Sequence, residues 1–307
     1  MLANRPASLS PEIGIGDDAA VWLPTPGRRA IETTDLLIEE VHFSLRWASW
    51  YDVGWKAMAV NISDVAAMGG VPKAAFVSAG LRADIAEQDA LQLYAGLADC
   101  AAEYDVAILG GDTVASPQAA VVNVAIFGES VDNSGAVLRR DRAAPGQAIG
   151  VSGPLGGSAA CLRLMEHGGP PSGALREAHV RPRPQVALGQ ALLRAGVRCA
   201  MDISDGLAGD LGKICAASGV AAVVELARVP VAPDAQQALP AEALDLAVTG
   251  GEDYELLACG PTETLERVGL TIIGEIVAGQ GSRFLAADGR ERHFDRAGYD
   301  AFLPSRT

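Results

Sequence analysis

Six short segments of this chain set carboxylates beside glycines or hydroxyls. They are GIGDDAA at 14–20, TTD at 33–35, NISD at 61–64, GGDT at 110–113, MDISDG at 201–206 and GGEDYEL at 250–256. A carboxylate withdrawn from water without a partner is costly. A fold that puts several of them at strand ends must supply a shared counter-charge. A hard divalent cation suits that need, because Mg²⁺ takes oxygen ligands, keeps several waters and is held by a few carboxylates together with phosphates. The interleaved glycines let backbone N–H groups approach a phosphate closely.

Taken singly, each segment has a plainer alternative. Asp17 and Asp18 suit a Gly-Asp turn, Asp35 an N-cap, Asp64 a solvated helix position and Asp112 a hairpin turn. Asp202 and Asp205 suit caps for a helix from Gly206 onward, and Glu252 and Asp253 simply precede a strand. Six such segments spread over both halves exceed what turns alone require.

The pattern between them is mixed. Residues 119–128 read as a buried strand and 85–104 as a helix, with Ala90, Leu91, Tyr94, Leu97, Ala98 and Ala101 on one face. Residues 108–112 read as a strand running into a turn. The polar stretch 139–146, broken by Pro145 and Gly146, reads as a junction between two halves, 1–140 and 141–307. Beyond it, 148–152, 220–226 and 254–259 read as strands, and 156–167 and 184–195 as helices. Helices and strands alternate without a strict βαβ rhythm, which favours α+β over a doubly wound sheet. Residues 281–307 are polar with scattered aromatics and carry no clear pattern.

The charge and composition exclude several classes. With 24 basic and 38 acidic residues the net charge is −14, which argues against a nucleic-acid or anionic-membrane surface. No apolar run approaches the ~18 residues of a membrane span. Residues 1–12 lack the basic and apolar parts of a signal peptide, so the cytoplasm is the expected compartment. The five cysteines, Cys100, Cys161, Cys199, Cys215 and Cys259, are scattered without a CxxC and read as buried free thiols. Lysine occurs only at Lys56, Lys73 and Lys213, so Arg must do most of the work on a phosphate. The chain carries no GxxxxGK[ST], no GxGxxG, no HExxH and no GxSxG. The chemistry therefore points to Mg²⁺ and phosphate without a Walker motif.

In this order, the stretches GIGDDAAVW, ETTDLLIEEVHF, GWKAMAVNISDVAAMGGVPKAAF, LGGDT, AMDISDGLAGDLGKI and TGGEDYELL resemble the thiamine-monophosphate kinase family. That family lies within the aminoimidazole-ribonucleotide-synthetase-like superfamily. The resemblance runs from about Ile13 to Phe302. It implies ATP-dependent phosphorylation of thiamine phosphate to thiamine diphosphate by direct transfer, with several Mg²⁺ ions and no catalytic nucleophile or general base. It implies a two-domain α+β fold, with an N-terminal ATP/Mg and dimerisation domain whose sheet pairs across a homodimer. A C-terminal α/β domain then completes an active-site cleft.

The family's roles carry over by motif. Asp18, Thr33, Thr34, Asp35, Asp64, Asp112, Asp202 and Asp205 fall where the family holds Mg²⁺. Tyr104, Gly111, Asp112, Arg140 and Ser204 match its ATP contacts, and His42 and Glu252 its thiamine-phosphate contacts. Tyr104 also fits core packing of its helix, and His42 beside Phe43 also fits a structural role. Two departures stand out. The E-F-x-L-I pattern that usually precedes GIGDD is missing, and Arg296 stands where the family tends to place an aromatic that stacks on thiamine. Phe294 and Tyr299 are the aromatics nearby. The readings that compete are a selenophosphate-synthetase-like or hydrogenase-maturation-like enzyme and a non-catalytic Mg-nucleotide-binding protein. The absence of a reactive Cys near either end counts against the first two.

Overall fold

The first unit is organised around one helix. The computed structural model describes residues 8–16, 18–294 and 298–299, and the chain divides into Met1–Ala136 and Val137–Thr307. In the first unit, α1 (Trp50–Ala67) is buried along nearly its whole length, with apolar residues on all sides and a few polar ones such as Asn61 among them, the pattern of a helix inside a core. Its start is set by a capping box. Ser49 Oγ accepts from the Asp52 N–H at 3.2 Å, and the Asp52 carboxylate accepts from the Ser49 N–H at 3.0 Å. Against it lies α2 (Glu87–Glu103). The two helices touch backbone to backbone. A Cβ on Gly54 would stand 2.0 Å from the Leu93 carbonyl oxygen, and one on Gly96 2.0 Å from that of Tyr51.

The other face of α1 rests on a four-stranded sheet of β1 (Ala30–Ile38), β2 (Val71–Arg82), β3 (Ala107–Ser116) and β4 (Val121–Glu129), in the order β1-β4-β2-β3. The β2–β3 pair is parallel and the rest antiparallel. Alternation along β1 is the feature that matters for chemistry. Ile31, Thr33, Asp35 and Leu37 face the helix side, whereas Thr34 and Leu36 are exposed on the opposite face. One end of that outer face is covered by Trp22, which packs on Phe76 and Phe127 at 6.2 and 5.7 Å. Leu36 and Val114 are exposed.

The second unit contains β5 (Ala148–Val151), β6 (Cys199–Asp202), β7 (Ala221–Glu225), β8 (Leu256–Gly260), β9 (Thr271–Val277), β10 (Gly281–Leu285) and β11 (Glu291–Arg292). Among the described residues they form one sheet in the order β11-β10-β7-β9-β5-β8-β6, antiparallel except for β10–β7. Its helices are α3 (Gly157–Glu166), α4 (Gly173–Val180), α5 (Val186–Arg194), α6 (Leu207–Ser218), α7 (Pro233–Ala238), α8 (Ala243–Thr249) and α9 (Thr262–Val268). Met201, Ile203, Leu207, Leu211, Leu257 and Ile273 belong to the core that packs α6 on this sheet. All five cysteines are buried and free.

The α+β reading of the sequence matches this architecture. The elements expected at 119–128, 148–152, 156–167 and 184–195 are β4, β5, α3 and α5. One expectation fails: β3 does not turn at Asp112 but runs on to Ser116, because its parallel ladder with β2 pairs Asp112 with Ser78 and continues to Ser116 opposite Arg82. Asp35 is likewise mid-strand and caps no helix. Among the described residues no helix is long and apolar enough to cross a membrane.

Candidate active site

In the first unit the inward face of β1 meets α1 through polar groups. The Thr33 hydroxyl donates to Asp64 Oδ2 at 2.5 Å. The Asp35 N–H donates to Asn61 Oδ1 at 2.8 Å, and Asn61 Nδ2 donates to the Ala57 carbonyl at 3.0 Å. Asn61 is fully buried, so its amide fixes the strand's register against the helix. Thr33, Asp35 and Asp64 thus stand together as oxygen donors on one side of the sheet. The sequence rule that flagged the acids passed over Asn61, although it opens the NISD segment.

Thr34 is not with them. Its hydroxyl donates to the Val124 carbonyl at 3.2 Å and accepts from Asn123 Nδ2 at 2.8 Å, on the outer face. Asp112 shares a row with Ser78, Asn123 and Leu36, so the pleat puts it on that outer face too. Its carboxylate accepts from the Thr113 N–H at 2.8 Å. Gly111 sits where a Cβ would come within 1.8 Å of the Val77 carbonyl oxygen, so only glycine fits the strand there. Asp18 is exposed in the loop closed by the Ile13–Val21 bridge.

His42 follows β1 in a tight turn. Its Nδ1 accepts from the Ile38 N–H at 3.1 Å, and its carbonyl accepts from Lys56 Nζ at 3.2 Å. Tyr104 is the half-buried C-cap of α2, at the end of the stripe Leu93, Leu97, Cys100.

In the second unit, two of the sequence segments run side by side, and a third stretch joins them. The loop 203–206 after β6 carries Ser204 and Asp205. The segment 250–255 lies along it: the Glu252 N–H donates to the Ser204 carbonyl at 2.8 Å, and the Tyr254 N–H to that of Ile203 at 2.9 Å. The third is 298–299, where the Tyr299 N–H donates to the Asp205 carbonyl at 2.9 Å. A Cβ on Gly298 would lie 2.4 Å from that same oxygen. Asp202, nearly buried at the end of β6, pairs with Leu256 across the ladder.

Beneath the loop sits a residue the sequence reading did not single out. Asp210, fully buried on α6, accepts from the N–H groups of Ser204, Asp205 and Gly206 at 3.0, 3.0 and 3.1 Å through Oδ2. Its Oδ1 accepts from Lys213 Nζ at 2.7 Å, and the same ammonium donates to the Asp205 carboxylate. Burial raises the pKa of Asp210, against the pull of Lys213. Burial works against the charge on Lys213, but its hydrogen bonds to Asp205 and Asp210 outweigh it and leave the ammonium pKa raised.

The acids of 252–255 have separate surroundings. Glu252 holds a positive φ of 67° and places its carboxylate 3.4 Å from His179 Nδ1, which also contacts Ser158 Oγ at 2.9 Å. Asp253 points to the start of α3, where it accepts from the Gly156 N–H at 2.9 Å. Complete burial nonetheless pushes its pKa up to about 8, with Glu255 adding to the rise. Glu255 is raised by burial as well and accepts from the Ser152 hydroxyl.

Arg140 is exposed, and its carbonyl accepts from Ser218 Oγ at 2.9 Å. Arg296 lies outside the described residues. Of the aromatics near it, Phe294 is packed edge-on against Phe284 at 5.5 Å, whereas Tyr299 is exposed.

The donor set is all oxygen. Among the described residues no three acidic, His or Cys side chains gather round one point. Such gathering is not what Mg²⁺ needs. It is usually held by one or two carboxylates, with waters and substrate phosphates completing the octahedron. The Thr33–Asp64 pair, with Asp35 two residues along the same strand face, fits it on those terms.

Residues 16–130 match the family described as AIR synthase related protein, N-terminal domain, and 144–286 its C-terminal domain. A thiamine-monophosphate kinase of Bacillus subtilis is 37% identical over 264 residues, covering 84% of this chain and 80% of its own. The crystal structure of a thiamine-monophosphate kinase from Stenotrophomonas maltophilia superposes with a TM-score of 0.82 at 36% identity, covering 92% of each chain. A structure described as AaThiL complexed with AMPPCP and TMP superposes at 0.81 with 31% identity, over 93% of this chain and 92% of that one.

Proposed function

The chain belongs to the thiamine-monophosphate kinases of the AIR-synthase-related family, and on that premise we propose which of its residues carry the reaction. It is an ATP-dependent kinase that phosphorylates thiamine phosphate to thiamine diphosphate. The observation that carries the assignment of residues is the gathering of Thr33, Asp35 and Asp64 where β1 crosses α1.

Phosphoryl transfer asks little covalent work of a protein; positioning and charge neutralisation dominate. Both substrates are anionic and repel. The acceptor phosphate oxygen is already a nucleophile, so no general base is required. Asp35 and Asp64 hold Mg²⁺ in this reading, and Thr33 orients the Asp64 carboxylate. Asp202 and Asp205 supply a second set of oxygens and Asp18 a further one, whereas Thr34 and Asp112, which occupy family positions, lie on the other face of the sheet, apart from Asp35 and Asp64. When bound, Mg²⁺ offsets the charge of the two phosphorylated substrates and aligns them. Arg140 adds a planar cation for the nucleotide phosphates. Ser204, Gly111 and Tyr104 contact ATP, and His42 and Glu252 the thiamine phosphate. The Glu252 carboxylate, held beside His179, is a built acceptor for a polar edge of that substrate. Arg296 keeps its place as a substrate contact, and Tyr299 is the exposed aromatic beside Asp205.

We also infer a homodimer paired through the outer face of the four-stranded sheet, which exposes Leu36 and Val114. The five free thiols suit a reducing compartment such as the cytoplasm.

The test is a turnover assay with ATP and Mg²⁺, with thiamine phosphate and thiamine as parallel acceptors. Thiamine diphosphate formed from the phosphate alone is the expected result. Tight Mg-ATP binding without product would overturn the acceptor and favour a nucleotide-binding protein without turnover.

A further inference from the structure

We propose that Asp210 and Lys213 are the positioning pair that sets Ser204 and Asp205 for the reaction. The inference rests on the reading of Asp205 as a Mg²⁺ ligand and Ser204 as an ATP contact. Three successive N–H groups, of Ser204, Asp205 and Gly206, converge on one carboxylate oxygen of Asp210. The loop's carbonyls are taken up elsewhere: those of Ile203, Ser204 and Asp205 accept from the N–H groups of Tyr254, Glu252 and Tyr299. The anchor is fully buried and lies on the helix that follows the loop, so the loop's shape is referred to a rigid element.

Lys213 extends the anchor to the side chain. One turn along α6 from Asp210, its ammonium donates both to Asp210 and to Asp205. Asp205 is therefore held at two points, its backbone N–H by Asp210 and its carboxylate by Lys213. The ammonium also neutralises one of the two charges that would otherwise face each other across the loop. An asparagine at 210 has a single acceptor oxygen for these two sets of donors, so its NH2 group must face either the three backbone N–H groups or the Lys213 ammonium. Neither residue is assigned a contact with substrate; both act through Asp205 and Ser204.

Four variants test this: D210N, K213M, K213R and D205N. Two readouts are needed, steady-state turnover over a Mg²⁺ titration and hydrogen exchange of the amides 204–206 in the free protein. D210N is expected to lower kcat on the order of 10- to 100-fold, as loss of a partner that orients a metal ligand does. The KM for thiamine phosphate should change little, while more Mg²⁺ is needed for half-maximal rate. Exchange at 204–206 should rise without a general rise across α6. K213M should show the same signs more weakly, and K213R should recover part of the loss. If D210N fails to fold, K213M, altered at a partly exposed side chain, decides.

An inactive D205N beside D210N and K213M of wild-type rate and exchange would overturn the proposal and leave the reading of Asp205 standing. A fully active D205N would instead sink the reading of Asp205, and exchange at 204–206 then judges the pair alone. Protection lost in D210N supports the anchor, and protection kept overturns it.

Discussion

The chemistry of single residues here is governed by what each carboxylate faces. Asp64 receives the Thr33 hydroxyl and stands where β1 and α1 meet. D64N keeps the shape and removes the charge, so kcat is expected to fall by roughly 10²–10³-fold, as when one electrostatic stabiliser is lost. Thermal stability should hardly change, and a rate near wild type would refute the role. Asp253 makes a different point. Burial raises its pKa to about 8, against an ordinary value of 3.8, so the folded chain holds a proton that the unfolded chain releases between those values. That contribution to stability is complete below the ordinary value and is lost as pH rises through about 8. Unfolding free energy should therefore carry a downward slope of up to about 1.4 kcal/mol per pH unit in that window from this group. D253N should lack it, and denaturant titrations of both proteins across the window would show the difference. Asp253 and Asp210 also mark the limit of sequence reading at this scale. Asp253 lay in a flagged segment but serves the start of α3. Asp210, in AGDLGK, has the look of an ordinary helix charge, and only the loop folded over it reveals three donors.

Among the elements, α1 is the one on which most depends. It carries Asn61 and Asp64, and its distance from α2 is set by two glycines whose missing side chains allow backbone contact. G54A would drive a methyl into the Leu93 carbonyl, which overpacks the crossing by about 3 kcal/mol. The melting temperature of the first unit should fall on the order of 10 °C, and a shift within error would show that the helices can part freely. Legibility varied with the element. The α3 helix was readable because Gly156 and His167 bracket it, and β4 because its apolar run is long and broken only by Asn123. The continuation of β3 was not. Gly-Gly-Asp looks locally like a turn, and only the parallel ladder to β2 keeps it extended. The alternation on β1 was legible in principle. Adjacent Thr33 and Thr34 in a strand cannot direct their side chains to one side, and the structure separates them.

For the molecule as a whole, the proposed metal requirement and dimer are both open to direct measurement. Chelation should abolish turnover and leave the circular dichroism spectrum in place, with activity returning on Mg²⁺ addition. Loss of folded signal on chelation would instead make the ion structural. L36D, on the exposed face of the four-stranded sheet, should shift the sedimentation coefficient to that of a monomer if this face joins two copies. A final consequence comes from Lys213 and the scarcity of its kind. A reagent that acylates amines finds side-chain targets only at Lys56, Lys73 and Lys213, and Lys56 is buried. Peptide mass mapping after a brief pulse would therefore read the Asp205 clasp almost without background. Slow modification of Lys213 that speeds up when nucleotide and metal are added would show, in a footprint rather than a rate, that the ammonium has let go of its carboxylate.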